Sequence, residues 1–262
     1  MMVPEPIPLP TRHQVDGGVR SIGRAVDLLG LFDARHPTRP LRDLVAGTGL
    51  PKTTVVRLLA TLEARGLVVD AGDSTYSLGA QFLRWVELSH SLWQVSTDTR
   101  SVMRSLVEQY GETVNLYVRQ DSVRISIAQE EGTATVRSLV EVGAPMPLSQ
   151  GATAKVLLGG APDTLIDELA AQTPGLDTAA LRRQVAATRE NGHAVSHGER
   201  ELGASSVAAP IYNGERRVIA ALSMSGPTSR FTADQVASYV AALTTAAGQI
   251  SAARLGTVEA FL

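Results

Sequence analysis

Four polar residues between positions 52 and 57 are suited to binding a phosphate backbone and the edges of bases. They are Lys52, Thr53, Thr54 and Arg57, and a helical period places them away from the leucines of the same segment. Lysine and arginine bind phosphate oxygens, and arginine also pairs with guanine. Three of the four fall in the first turn, the end that helix-turn-helix proteins insert into the major groove. The segment is predicted to contact DNA; an ordinary solvated helix face is the alternative.

A second group of polar residues, rich in serine, is suited to holding a small anion. Along a predicted strand at 218–225, Ala221, Ser223 and Ser225 share one face because side chains alternate. Further hydroxyls come from Ser196, Ser205 and Ser206. The amides at the helix start after 151–153 would add donors for a carboxylate. Serines that only fill space in tight packing are the alternative.

Other reactive side chains do not form a recognisable catalytic or metal site. His193 and His197 are four residues apart, but a helix end and a strand lie between them, and no third ligand is evident. Glu199 and Glu201 are not placed in a cleft by any pattern. The chain also lacks a nucleophile elbow and a phosphate-binding glycine loop. No catalytic residue, metal or cofactor is predicted.

Composition indicates two globular domains in a chain of 262 residues. There is no cysteine, which excludes disulfides and thiolate metal sites and is consistent with a cytoplasmic location. No secretory signal and no apolar run of bilayer length is expected. The net charge is −2, but the segment 19–78 has eight basic and six acidic residues. This mild asymmetry favours a DNA-binding module attached to a more acidic domain.

The N-terminal elements predict a winged helix-turn-helix over 19–79, after a disordered tail at 1–18. A first helix is expected from an N-cap at Ser21, with a buried stripe, and a second over 41–46. Pro51 starts the third helix, and strands at 67–69 and 75–78 form the wing. The stripe of the first helix consists of Ile22, Ala25, Val26, Leu29 and Phe32. Additional phosphate contacts are expected from Arg42, Ser74 and Thr75.

The rest of the sequence, after residue 79, predicts a linking helix and a larger α+β domain. Residues 80–96 form an apolar helix that includes Trp85 and Trp93 and has a face for dimer packing. Over 97–256, strands, a helical middle at 151–191, two more strands and a final helix indicate an antiparallel sheet flanked by helices.

With these segments, the chain resembles the IclR family of regulators over about residues 20–256. The N-terminal resemblance rests on Ser21–Ala25, on the run Thr48–Leu59 and on Tyr76–Gly79. The C-terminal resemblance rests on these segments: Gly111–Leu116, Gly192–Ser196, Glu199, Gly203, Ala209-Pro210 and Ala220–Pro227. The family's small-residue–Gly-Lys run appears as Ala152-Thr153-Ala154-Lys155, with alanine in place of glycine.

The resemblance implies a GAF-like effector domain that binds small organic or aromatic acids. It also implies a homodimer or tetramer, since dimers of the family often pair into tetramers, and binding to operators with inverted repeats. The family's effector contacts carry over to seven positions: Ala152, Thr153, Ser196, Ala204, Ser206, Ser223 and Ser225.

Three functions are compared on these grounds. The leading hypothesis is a ligand-responsive DNA-binding regulator of catabolic or metabolic genes, with repression as the expected output. The second is a ligand-independent DNA-binding protein whose C-terminal domain only oligomerises. The third, an enzyme built on the second domain, lacks a catalytic constellation in the sequence.

Overall fold

The computed structural model describes residues 19–33 and 35–262 and divides the chain into two compact units. The division falls between Leu92 and Trp93. The disordered tail expected at 1–18 lies outside the described residues. No helix in the described ranges is long and apolar enough to span a bilayer.

The N-terminal unit contains the three helices and the hairpin that the sequence predicts. A short strand before the second helix was not predicted, and it joins the hairpin in an antiparallel sheet of order β1-β3-β2. The elements in chain order are α1 (Arg20–Leu29), β1 (Thr38–Pro40), α2 (Leu41–Thr48), α3 (Lys52–Glu63), β2 (Val68–Gly72), β3 (Thr75–Leu78) and α4 (Gln81–Leu92).

Helix α1 departs from its predicted start and stripe. It begins at Arg20 with Val19 as the N-cap residue, so Ser21 is not the cap. Its one fully buried residue is Leu28, whereas Ile22 is 63% exposed and Val26 is also exposed. Because α1 packs against α2 and α3 with one side only, part of the predicted apolar stripe is left uncovered within this chain.

The turn between α2 and α3 follows from local backbone chemistry. Helix α2 runs two residues further than predicted, to Thr48, and Gly49 ends it with φ +64°, a left-handed conformation that glycine adopts without strain. Pro51 precedes α3 and fixes the entering backbone. The core beneath is formed by Leu28, Leu44, Val55, Leu59, Leu62 and Val68.

The C-terminal unit is built on one antiparallel sheet of order β6-β5-β4-β9-β8-β7. Its strands are β4 (Thr113–Gln120), β5 (Val123–Glu130), β6 (Pro145–Pro147), β7 (Ala194–His197), β8 (Ala204–Tyr212) and β9 (Val218–Pro227). Its helices are α5 (Thr97–Tyr110), α6 (Ala152–Gly159), α7 (Thr164–Gln172), α8 (Thr178–Asn191) and α9 (Ala233–Ala253). The helical middle therefore consists of α6 to α8, and β6 was not predicted.

The two faces of this sheet pack against different helices, as the alternation of side chains along β9 predicts. Ala220, Leu222 and Met224 pack into a core with residues of α5 and α9. On the opposite face, Ala221 packs with residues of α6, α7 and α8, and the serines of β9 border an open space.

Candidate functional site

Helix α3 presents a polar surface to solvent. Lys52, Thr53 and Arg57 are exposed, Thr54 is half-buried, and Val55 and Leu59 point into the core. We call Lys52, Thr53 and Arg57 the α3 surface. Because Val55 and Leu59 point inward while Lys52, Thr53 and Arg57 face solvent, the fold keeps these three predicted DNA contacts accessible.

The other predicted DNA contacts lie on α2 and at the hairpin turn. Arg42 is exposed, and its Nε lies 3.3 Å from Oδ1 of Asp43. Ser74 occupies the turn with φ 55° and is exposed, whereas Thr75 is half-buried in β3. The amide of Leu41 donates to the carbonyl of Ser74 at 2.8 Å, so the turn is fastened to the first residue of α2.

Helix α4 exposes most of its apolar side chains. Leu83 is 73% exposed, and no residue of this helix is buried within the chain. The other exposed apolar residues on it are Trp85, Val86, Leu88 and Leu92. A monomer rarely leaves so many apolar side chains of one helix uncovered.

The C-terminal unit contains a pocket beside β9, with about 440 Å³ of empty space including its mouth. We call it the serine-lined pocket. Of the seven effector residues carried over from the family, six line it: Thr153, Ser196, Ala204, Ser206, Ser223 and Ser225. Ala152 does not line it and is fully buried at the start of α6.

Strand pairing explains why serines that are distant in sequence meet in this pocket. Ser206 on β8 is paired with Ser196 on β7 and with Ser225 on β9. Directly paired residues on neighbouring strands project from the same face. Three hydroxyl groups therefore form a row across the sheet, and Ser223 lies two residues along β9.

The start of α6 is already engaged by a carboxylate of the protein. Oε2 of Glu199 accepts the amide hydrogen of Gly151 at 2.9 Å, and Nζ of Lys155 donates to Oε1 at 2.5 Å. The Lys155 side chain is only 6% exposed. We expected the amides at this helix start to hold a ligand carboxylate; the Gly151 amide instead binds Glu199, because the loop after β7 brings that side chain over the helix end.

Arg124 is a pocket residue that the sequence analysis missed. It lies on β5, is 3% exposed, and its Nη1 donates to the carbonyl oxygens of Pro147 and Gln150. Its buried Nε has no hydrogen-bond partner. Burial lowers the pKa of the Arg124 guanidinium to about 10, so it stays protonated at neutral pH.

Two further groups line the pocket near Arg124. The Tyr117 ring lies 5.9 Å from the guanidinium carbon of Arg124, and Arg200 lines the same space from the loop after β7. Burial raises the pKa of the Tyr117 hydroxyl, and the positive charges of Arg124 and Arg200 oppose that rise. Both cations therefore lie close enough to Tyr117 to act on its hydroxyl.

A signal for Arg124 was present in the sequence. It is a lone arginine in the alternating strand Val-Arg-Ile-Ser-Ile, where its position puts it on the face opposite Ile125 and Ile127. A charge inside a buried strand indicates a specific role, because such a residue is otherwise costly. The pocket position of Arg200 had no comparable signal, since it depends on a loop.

The two histidines have local hydrogen-bond partners. Nδ1 of His197 lies 2.8 Å from Oγ of Ser205, which lies 2.8 Å from Oγ1 of Thr228. Nδ1 of His193 lies 3.0 Å from the carbonyl oxygen of Asn191. Over 19–33 and 35–262, no three histidine or carboxylate groups cluster at metal-binding distance.

Comparison with known proteins matches both units. The family described as "Bacterial transcriptional regulator IclR C-terminal" matches residues 89–252, and the "IclR helix-turn-helix domain" matches residues 21–71. The acetate operon repressor of Salmonella typhimurium is 30% identical, over 95% of this chain and 95% of its own length.

Solved structures agree with this assignment. An IclR-family regulator from Rhodococcus sp. is 48% identical, with a TM-score of 0.63 over 94% of this chain and 97% of the other. An IclR homologue from Microbacterium hydrocarbonoxydans, solved with bound 4-hydroxybenzoate, is 23% identical. It shares the fold with a TM-score of 0.72, over 92% of this chain and 99% of the other. The chain belongs to the IclR family of bacterial transcriptional regulators, with an N-terminal DNA-binding domain and a C-terminal effector-binding domain.

Proposed function

We propose that the α3 surface recognises operator DNA and that a small organic acid in the serine-lined pocket modulates that binding. The observation that carries the proposal is the convergence of six family effector positions on one pocket that also contains a buried arginine. In the other unit, the accessible cationic helix α3 would bind the DNA. Like other regulators of chromosomal genes, the protein would act in the cytoplasm.

On DNA, α3 would enter the major groove with its N-terminal turn foremost. Lys52, Thr53 and Thr54 lie in that turn, and Arg57 follows one turn later, within reach of a guanine or a phosphate. Arg42, Ser74 and Thr75 would bind phosphates on either side, since α2 and the wing flank α3. The hydrogen bond from the Leu41 amide to the Ser74 carbonyl would hold the hairpin turn against α2, so that the contacts from both elements reach the DNA together.

The test for the α3 surface is operator binding by Arg57→Ala, with DNA from upstream of the protein's own gene. Loss of one base or phosphate contact in each half-site is expected to weaken binding about 10-fold or more. Arg217→Ala is the matched control, because Arg217 is also an exposed arginine but lies in the C-terminal unit. Unchanged operator binding by Arg57→Ala would contradict the assignment of α3.

In the pocket, the hydroxyl row and Arg124 are suited to a carboxylate. Charge-assisted hydrogen bonds to arginine are the stronger contacts, and serine hydroxyls add orientation. The bound 4-hydroxybenzoate in the Microbacterium hydrocarbonoxydans relative supports an acid of similar size. Thr153 and Ala204 would shape the walls, and the buried Ala152 would pack behind them at the start of α6.

The test for the pocket is thermal stabilisation by a panel of small acids. A ligand that binds only the native state must raise its stability. Ser223→Val combined with Ser225→Val should abolish that stabilisation by removing two hydroxyls and filling space. Ser101→Val with Ser105→Val on α5 is the matched control, since both serines are exposed. A normal ligand response in the β9 double variant would exclude the site.

We also propose a homo-oligomer, either a dimer or a tetramer of two dimers, in which two copies pair through the uncovered apolar residues of α1 and α4. Leu83 and Val86 on α4 and Ile22 on α1 are well exposed, and their burial in a second copy would be favourable. A two-fold dimer presents two copies of α3 to an inverted-repeat operator. Light scattering of Leu83→Glu with Val86→Glu should show a smaller assembly than the wild type; an unchanged mass would contradict the interface.

Repression is the proposed output, in keeping with the function named for the Salmonella typhimurium relative. Deleting the gene should then raise transcription from the operator-bearing promoter. Lower transcription after deletion would identify an activator instead.

A further inference from the structure

The charged side chains that line the serine-lined pocket are all positive. Arg124 and Arg200 both line it, and among the described residues no carboxylate does. The nearby acid, Glu199, is held by Lys155 Nζ at 2.5 Å and by the Gly151 amide at 2.9 Å. The lining of the pocket is therefore positively charged, and the nearest carboxylates, Glu199 and Glu201, lie outside that lining.

Arg124 supplies the buried part of that charge. It is 3% exposed and, among the described residues, has no acidic side chain within ion-pair distance. Its bonds to the carbonyls of Pro147 and Gln150 hold the guanidinium group, while Nε has no partner. Glu199 acts on Arg124 only from beyond ion-pair distance. A buried cation without a direct ion pair is unfavourable, and a planar carboxylate is the group that best matches a fixed guanidinium.

Arg200 supplies a second, more accessible charge. Its side chain is 27% exposed and meets Glu201 only at 3.7 Å. Burial is the main cause that lowers the pKa of Arg124, and the charge of Arg200 lowers it further, while Tyr117 and Glu199 act in the opposite direction. Two cations that repel each other in one pocket are relieved most by a ligand with two negative charges.

We infer that the effector is a small dicarboxylate, with one carboxylate on Arg124 and the other on Arg200. The inference rests on the proposed regulator function and narrows its ligand class. Ser196, Ser206 and Ser225, in their row across the sheet, accommodate the carboxylate oxygens that the arginines leave unpaired. The positive charges also fit inorganic phosphate, and a single carboxylate shared by both arginines is a third arrangement; the test separates these.

The experiment is calorimetric titration of the full chain with matched pairs, each a dicarboxylic acid and its monomethyl ester. Glutarate, adipate and isophthalate provide aliphatic and aromatic spacers, and inorganic phosphate is titrated alongside. The wild type should bind at least one diacid about 10-fold more tightly than its monoester, because the ester lacks the second charge. Arg200→Gln should weaken the diacid about 10-fold and change the monoester less than about 3-fold.

Arg124→Gln should weaken both members of a pair about 10-fold or more, because it removes the anchoring charge. Arg217→Gln, an exposed arginine outside the pocket, is the control and should change neither. The wild-type comparison and Arg200→Gln keep the test valid if Arg124→Gln does not fold.

Three results would overturn the inference: equal affinity for diacid and monoester, no diacid bound, or phosphate bound more tightly than every diacid. Operator binding is measured on the same samples. If the protein binds its operator but prefers monoacids, only the dicarboxylate inference is wrong. If it does not bind the operator, the proposed regulator function is itself wrong.

Discussion

The α3 surface and the serine-lined pocket both use arginine, but they place it in opposite surroundings. Arg57 is exposed on a helix whose inner side is apolar. Arg124 is 3% exposed and is held by two backbone carbonyls beneath a sheet face lined with hydroxyls. A solvated charge costs little and binds through long-range attraction, whereas a buried charge is costly and selects a particular partner. Under the proposed function, the exposed arginine suits attraction to DNA of any sequence, and the buried arginine suits one class of small ligand.

Salt should separate the two sites most strongly. Raising salt from about 50 to about 200 mM should weaken operator binding by about 1,000-fold, because each phosphate contact releases counter-ions. The affinity for a bound acid should fall only a few-fold, since buried charges are less screened. Fluorescence anisotropy and calorimetry on one preparation provide the measurement. If operator affinity and acid affinity changed equally with salt concentration, the distinction between a solvated and a buried arginine site would not hold.

The next largest effect should come from Arg230→Met in the C-terminal unit. Arg230 donates through Nε at 2.5 Å and Nη2 at 2.7 Å to Glu112, which is 1% exposed. Removing the arginine leaves a buried carboxylate unpaired and should lower the free energy of unfolding by about 3 kcal/mol. Adding Glu112→Met should recover much of this in urea unfolding. If the double variant is no more stable than Arg230→Met, the unpaired carboxylate is not the cause.

A smaller change of opposite sign is expected for Asn115→Leu. Asn115 lies on the pocket face of β4, is fully buried, and neither amide atom has a hydrogen-bond partner in the protein. Replacing an unsatisfied amide by an apolar group of similar size should raise the free energy of unfolding by about 1 kcal/mol. Denaturant titration without ligand provides the measurement, and a marked loss of stability would contradict this account.

The smallest effect should be that of Asp43→Asn beside the α3 surface. Asp43 pairs with Arg42, whose side chain is 86% exposed. Exposed pairs contribute little, so unfolding should change by less than about 0.5 kcal/mol. A loss comparable to that of Arg230→Met would show that the N-terminal unit also depends on its ion pairs.

The sequence predicted the N-terminal unit well because its information is local. Helical spacing identified α3, and Gly49 and Pro51 marked its boundary. The buried stripe predicted for α1 was less accurate. Periodicity places Ile22 on the apolar side of the helix but cannot show whether another helix covers that side. The same limit applies to β1 and β6, whose three residues each become strands only through pairing with a distant partner.

The pocket was only partly predictable for a related reason. Alternation on β9 placed Ser223 and Ser225 together, and the hydroxyls of Ser196 and Ser206 were also named from the sequence. Resemblance to the family then added positions such as Thr153 and Ala204. Arg124 and Tyr117 reach the pocket from β5 and β4, whose order in the sheet cannot be inferred from spacing along the chain. The engagement of Glu199 at the start of α6 depends on a loop conformation that no periodicity encodes.

The division of β9 into two faces also bears on how such proteins diverge. Its odd-numbered positions, such as Ser223 and Ser225, border the ligand space, while Leu222 and Met224 anchor the domain against α9. Exchange at the odd positions can therefore alter chemical preference without disturbing the hydrophobic packing beneath. Substitutions in this single strand can thus vary the lining of the pocket while the architecture stays constant.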